Sequence, residues 1–247
     1  IELVEKSSGD TISAKIRATC WSHVYHILAP FFAQETGQSL AVGMQVLLEV
    51  EVNYHAVYGL SLNIVGIDPT FTIGDMARQR QRTIQQLQED GVMDMQRSMP
   101  FPHLPRRIAV ISAADAAGYG DFCHQLESNR GGFLFRTQLF PATMQGEQSP
   151  ASIIQALENI ARVIEDYDVV VIVRGGGAIT DLRNFDDYSL AFHCANFPLP
   201  IIAGIGHTRD VSVVDMVVHT SVKTPTAAAE WLISCMQEQA DKIAELL

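Results

Sequence analysis

The stretch VVVIVRGGGAITDLRNFDD, from Val169 to Asp187, decides the fold. Its first five residues are all Val or Ile, with no polar alternation. A run of that kind suits a strand buried on both faces, as in a parallel sheet covered by helices. An arginine and three glycines follow directly. Glycines remove side chains from the strand's exit and leave backbone N–H groups accessible to something bulky. Arg174 stands where the charge of such a ligand needs neutralising. The exit therefore reads as an anion seat, with phosphate as the first expectation.

Working outward, strand and helix patterns alternate. RRIAVIS (Arg106–Ser112) reads as a strand and Ala113–Arg130 as a loop entering a helix. FLFRTQLFPA (Phe133–Ala142) is a second strand, and Pro150–Tyr167 is an amphipathic helix. After DVVVIV come loop and helix through Phe197, then the strand PIIAGIG and a further helical segment ending at His219. This alternation predicts an α/β domain with a mostly parallel sheet over residues 106–247. Right-handed crossovers put every strand's carboxyl end on one edge, and ligands of open parallel sheets bind there. That edge gathers Ser112, Asp121 and His124 after the first strand, and Arg174, Gly175, Gly176 and Gly177 after the third. Gly206, His207, Arg209 and Asp210 follow the fourth. The residues point to chemistry at an anionic centre using His, Asp and Arg directly.

Other sites read less well. GIGHTR and GYGDFC begin like dinucleotide fingerprints but lack the third glycine, and no GxxxxGK[ST] phosphate loop occurs. No cluster of several carboxylates stands ready for two magnesium ions.

Residues 1–70 differ in kind. TISAKIRATCW alternates Ile12, Ala14, Ile16, Ala18 and Cys20 on one face, and residues 45–68 read as a hairpin turning between His55 and Tyr58. Several short alternating strands predict a small all-β barrel or sandwich. Residues 71–105 then read as a connector: a helix from Gly74 to Asp90 with Asp75 as N-cap and Gly91 as stop, followed by the Pro-rich MPFPHLPRR. Arg78, Arg80 and Arg82 give that helix a solvated or a strand-contacting basic face.

With 247 residues and 47% of them apolar, the chain has material for a sizeable core. No apolar run reaches the roughly 18 residues of a membrane span. The four cysteines form no CxxC pair, which argues against zinc and reads as free thiols in a reducing cytoplasm. A net charge of −11 disfavours nonspecific adhesion to nucleic acid, though a few arginines in a cleft can still focus the field locally.

At this point five motifs stand in register: RRIAVIS…GDFCHQL, LFPATMQGE, RGGGAITDLRNFDD, PIIAGIGHTRD and KTPTAAAE. Together they resemble the large subunits of exodeoxyribonuclease VII. The resemblance implies an exonuclease that degrades single-stranded DNA from both ends to oligonucleotides, with no cofactor and no strict need for a divalent metal. It also implies a cytoplasmic enzyme with a small helical partner subunit, carried on a C-terminal helical region beyond DKIAELL. The front 70 residues resemble that family's OB-fold, with its opening strand expected to precede Ile1. The catalytic residues implied are Asp121, Arg174, His207 and Asp210, with Gly175, Gly176, Gly177 and Gly206 holding phosphate. Trp21, Tyr25, Tyr54, Tyr58, Arg78, Arg82 and Arg209 are candidate DNA contacts. One departure is Thr208, where the family has Glu. Two other readings stay open: a module that binds single-stranded DNA without cutting it, and an α/β enzyme acting on a small phosphorylated nucleotide.

Overall fold

The computed structural model describes residues 1–6, 12–37, 39–57, 59–175, 179–205 and 211–246. Contacts divide the chain into two units, Ile1–Gln79 and Arg80–Leu247. In the first, β1 (Glu2–Lys6), β2 (Ile12–Thr19), β3 (Leu47–His55) and β4 (Gly59–Asp68) form one sheet in the order β1-β2-β4-β3. β1/β2 and β3/β4 are antiparallel, while β2 meets β4 in parallel at Ala18–Leu62 and Thr19–Asn63. The unit is not all-β. Helix α1 (Ser22–Thr36) lies between β2 and β3. Pro30 inside the segment argues against a helix from sequence. Leu28, Phe32 and Thr36, four residues apart, and Gly37 in the left-handed region at φ 69° are the signals for one. Ala18, Phe32 and Ile64 are its buried apolar side chains among the described residues. The alternation read in β2 buries Ala18 alone and leaves Ile12 54% exposed.

Helix α2 spans Pro69–Glu89, starting earlier than Gly74. Asp68, not Asp75, caps it: its Oδ1 accepts from the Thr70 N–H at 2.9 Å, and Pro69 takes the first helical position, where its missing N–H costs nothing. Asp75 instead pairs with Arg78 at 3.6 Å. Gly91 does end the helix, with φ 71°.

The second unit follows as β5 (Arg107–Ser112), α3 (Ala117–Glu127), β6 (Arg136–Pro141), α4 (Ser149–Ala161), β7 (Val169–Val173), α5 (Tyr188–Ala195), β8 (Ile201–Gly204), α6 (Val213–Val217), β9 (Thr220–Ser221) and α7 (Pro225–Glu245). Short 3₁₀ helices cover Ile164–Asp166 and Ile179–Asp186. The strands form one parallel sheet in the order β6-β5-β7-β8-β9. Two-residue β9 carries too little pattern to be read from sequence. DKIAE (Asp241–Glu245) closes a helix already running from Pro225.

Successive strand residues feed opposite cores. Ala109, Ile111, Val170, Ile172, Ile201 and Ala203 pack with α4, α5 and α6. Ile108, Val110, Val169, Val171, Val173 and Ile202 pack with Phe122 and Leu126 of α3 and with Ala228, Ala229 and Leu232 of α7. Covered on both faces, β7 has no use for polar alternation, which is why its sequence is unbroken Val and Ile.

Polar clamps fix the strand ends. The Gln96 side chain, wholly buried, donates to the carbonyls of Phe197 (2.7 Å) and Leu199 (3.2 Å) and accepts from the Ile201 N–H (2.8 Å). Asp168 accepts from the backbone N–H groups of Arg106 and Arg107 and from the Arg107 guanidinium at 2.6 Å. Burial alone would raise the Asp168 pKa, but these bonds and the Arg107 charge hold it below the ordinary carboxylate value. No described helix is long and apolar enough to cross a membrane.

Candidate functional site

β5 leads the parallel domain, β6 lies on one side of it and β7 on the other. Their crossovers therefore leave on opposite faces: α3 packs with one core, α4 with the other. The carboxyl ends of β5 and β7 diverge at this switch point, which is where open parallel sheets form a crevice. A cleft of about 670 Å³ occupies that position. One wall is Ala113–Ala117, after β5; the other is Pro141–Gln145, after β6, with Ser152 of α4 behind it. Arg174 and Gly175, at the exit of β7, complete the lining.

Arg174 lines the cleft and is 6% exposed, a largely dehydrated position for its charge. Lower effective dielectric strengthens its pull on an anion relative to a surface arginine. Its backbone N–H donates to the Gly204 carbonyl at 3.5 Å, at the end of the β7/β8 ladder. The first turn of α3 closes on the same exit. A Cβ at Gly118 would sit 2.8 Å from the Arg174 carbonyl oxygen, 2.9 Å from Gly175 Cα and 2.9 Å from Pro225 Cγ. Glycine there is a steric requirement.

The Pro141–Gln145 wall is built by alternation. Ala142 and Met144 are buried in the core, while Thr143 and Gln145 are exposed in the cleft lining. The Ala142 N–H donates to the Ser112 carbonyl at 2.9 Å, and the Thr143 N–H to Ser152 Oγ at 2.8 Å. Gly146, at φ 77°, turns the chain toward α4 in a conformation most residues avoid.

The structure brings Arg174 and Gly175 into this cleft. Asp121 is exposed on α3, past the turn that meets Arg174, and is not among the lining residues. Gly176, Gly177, Gly206, His207, Arg209, Asp210 and Tyr58 lie outside the described residues. In the first unit Trp21 precedes α1 and is 59% exposed, and Tyr54 on β3 is 79% exposed. Tyr25 is exposed on α1. Arg78 stacks over Phe71 at 6.0 Å, and Arg82 is exposed on α2.

Other residues of the motifs are structural. Arg80 bonds Asp186 at 3.2 Å, and Asp186 also accepts from the Val213 N–H at 2.8 Å, tying α2 to the start of α6. Burial lifts the Asp186 pKa above the ordinary carboxylate value, though the Val213 N–H and Arg80 pull against it. Asp187 caps α5 by accepting from Leu190. The four cysteines are unpaired; burial pushes Cys194 up to about 12 and, with help from Glu238, Cys235 to about 11. Sequence reading missed Asp115, Thr143 and Gln145 as cleft residues. Their signal was position after β5 and β6, hidden until the strand order was known.

A family model described as exonuclease VII, large subunit, matches residues 92–247. The chain is 34% identical over 235 residues to the exodeoxyribonuclease 7 large subunit of Deinococcus radiodurans, covering 94% of this chain and 56% of that protein. It is 38% identical over 172 residues to the protein of that name from a Nostoc species (69% and 40% covered). With that of Shouchella clausii it shares 32% over 204 residues (83% and 44%). The chain thus spans about half the length of the curated relatives it matches.

Proposed function

This chain belongs to the exonuclease VII large-subunit family, and from that premise we propose that it hydrolyses phosphodiester bonds of single-stranded DNA at the cleft below Arg174. The strand is degraded from both ends to oligonucleotides, in the cytoplasm, with no strict need for a divalent metal. The observation that carries this reading is buried Arg174 lining a cleft at the switch point of a parallel sheet. With the N–H groups of Gly175, Gly176, Gly177 and Gly206, Arg174 holds the scissile phosphate. These donors bind the developing negative charge better than the ground state, the form of binding that accelerates chemistry.

His207 takes the proton of the attacking water, or itself attacks phosphorus to form a phosphohistidine that water then opens. Asp210 or Asp121 orients the imidazole and stabilises its protonated form; the other passes a proton to the leaving oxygen. The mixed sheet of the first unit serves as an OB-fold-like platform, where Trp21 and Tyr54 stack bases as single-strand-binding surfaces do. A small helical subunit completes the enzyme.

The test is cleavage of end-labelled single-stranded DNA in excess EDTA by the complete protein with its small subunit. Wild type is expected to release oligonucleotides. Arg174→Ala and His207→Ala should each slow it by about 100-fold or more, the scale of a lost transition-state donor. Undiminished cleavage by both variants would overturn the assignment, and cleavage only with magnesium would mean that the site recruits a metal.

A further inference from the structure

We propose that the Pro141–Gln145 wall is a second phosphate-binding element. In it the Thr143 hydroxyl and the Gln145 amide hold the phosphate next to the one seated at Arg174. This rests on the reading of the cleft as a nuclease site. Both side chains line the cleft, and neither has a hydrogen-bond partner among the described residues. Their backbone is fixed from three directions: Met144 is buried, Ser152 Oγ holds the Thr143 N–H at 2.8 Å, and Ala142 is bonded to Ser112 at 2.9 Å. Polar groups on a rigid support lose little freedom when they bind, so their bonds count more fully toward affinity.

The lining chemistry selects the ligand. Arg174 is the one cation among the described lining residues, and the opposite wall is mostly Ala113, Ala114, Ala116 and Ala117. Asp115, also in the lining, opposes anions generally. Among the described residues no aromatic ring lines the cleft, so none of them stacks a base there. The described lining thus offers one buried charge for one phosphate and two neutral donors for a second. A volume of about 670 Å³ is ample for a piece of backbone of that size. Neutral donors suit the second position, because they hold a phosphate while letting the product leave.

The experiment compares wild type with Gln145→Ala, Gln145→Glu, Thr143→Val and Thr143→Ser in the complete protein, measuring kcat and KM on end-labelled single-stranded DNA. Gln145→Ala and Thr143→Val should each raise KM by about tenfold with kcat little changed, the scale of one hydrogen bond to a charged group. Thr143→Ser, which keeps the hydroxyl, should restore KM. Gln145→Glu, nearly isosteric but anionic, should be worse than Gln145→Ala. Unchanged KM in Gln145→Ala and Thr143→Val, with Arg174→Ala inactive, overturns the second element and leaves the nuclease reading standing. If wild type itself does not cleave, the nuclease reading fails. Direct binding of the same strand then decides the wall: weaker binding by both variants supports it, and equal binding overturns it.

Discussion

At the scale of single residues, the buried polar groups separate structure from function. Gln96 satisfies two carbonyls and one N–H at the entrance to β8 and is itself wholly buried. Nothing in its sequence surroundings marks it, since its partners lie more than 100 residues away along the chain. Gln96→Ala would leave three backbone groups without partners, a loss of about 3 kcal/mol. For a domain of this size that lowers Tm by about 6–12 °C, measurable by calorimetry. A shift under about 2 °C would mean that water replaces the amide. Arg174 is the contrasting case, because the Arg-Gly-Gly-Gly context after an apolar strand made it legible at once. Asp121 and Arg174 were equally prominent in sequence, yet only Arg174 lines the cleft. Asp186 and Asp187 carried a motif's signature and turned out to serve as an anchor for α6 and a cap for α5.

Among the elements, α3 shows how one helix can make opposite demands on two glycines. Gly118 faces the backbone of Arg174 and Gly175 and the ring of Pro225, whereas a Cβ at Gly120 would meet nothing within 4 Å. Helix propensity alone favours alanine at both positions by up to about 1 kcal/mol. Gly120→Ala is therefore expected to raise Tm. At Gly118 the new methyl must displace backbone on two sides, a strain of about 1–3 kcal/mol that outweighs the propensity gain. Gly118→Ala should lower Tm and, by pushing on the Arg174 carbonyl, slow cleavage as well. If both variants were stabilised, the close approach of α3 to the β7 exit would be wrong. The limits of sequence reading belong to this scale too. β5, β7 and β8 were legible because burial on both faces leaves a continuous apolar run. Helix α1 was not, because Pro30 interrupts it, and the start of α2 hid in the Asp-Pro pair at Asp68 and Pro69.

Across the whole molecule, legibility tracked burial. Strands β5, β7 and β8 of the second unit are almost wholly buried and constrain their sequence strongly, whereas the first unit buries few apolar side chains among its described residues. Its alternating pattern therefore fixed strands but not sheet order or the helix between them. Strand order in the second unit was equally invisible, and with it the cleft wall after β6. Global behaviour also includes pH, where the buried groups give opposing signs. His219 sits against Phe101 and Trp231, at ring separations of 5.1 and 6.3 Å, beside the Thr220 hydroxyl at 2.8 Å. Burial there holds its pKa below the ordinary histidine value, although a bond with the Met99 backbone partly opposes this. The unfolded chain takes its proton near ~6.5, before the folded one does. Stability from this group is therefore complete above about pH 6.5 and is lost as pH falls through the lower folded value. Asp168, held low, adds a second loss of the same sign further into acid, while Asp186, held high, gains stability as it protonates and opposes that loss. Melting curves between pH 8 and 5 should thus show Tm beginning to fall around pH 6.5. His219→Phe keeps an aromatic ring in the cluster and removes the titrating nitrogen, so its Tm should stay flatter across that window. An equal decline in the variant would place the neutral-pH sensitivity in another group.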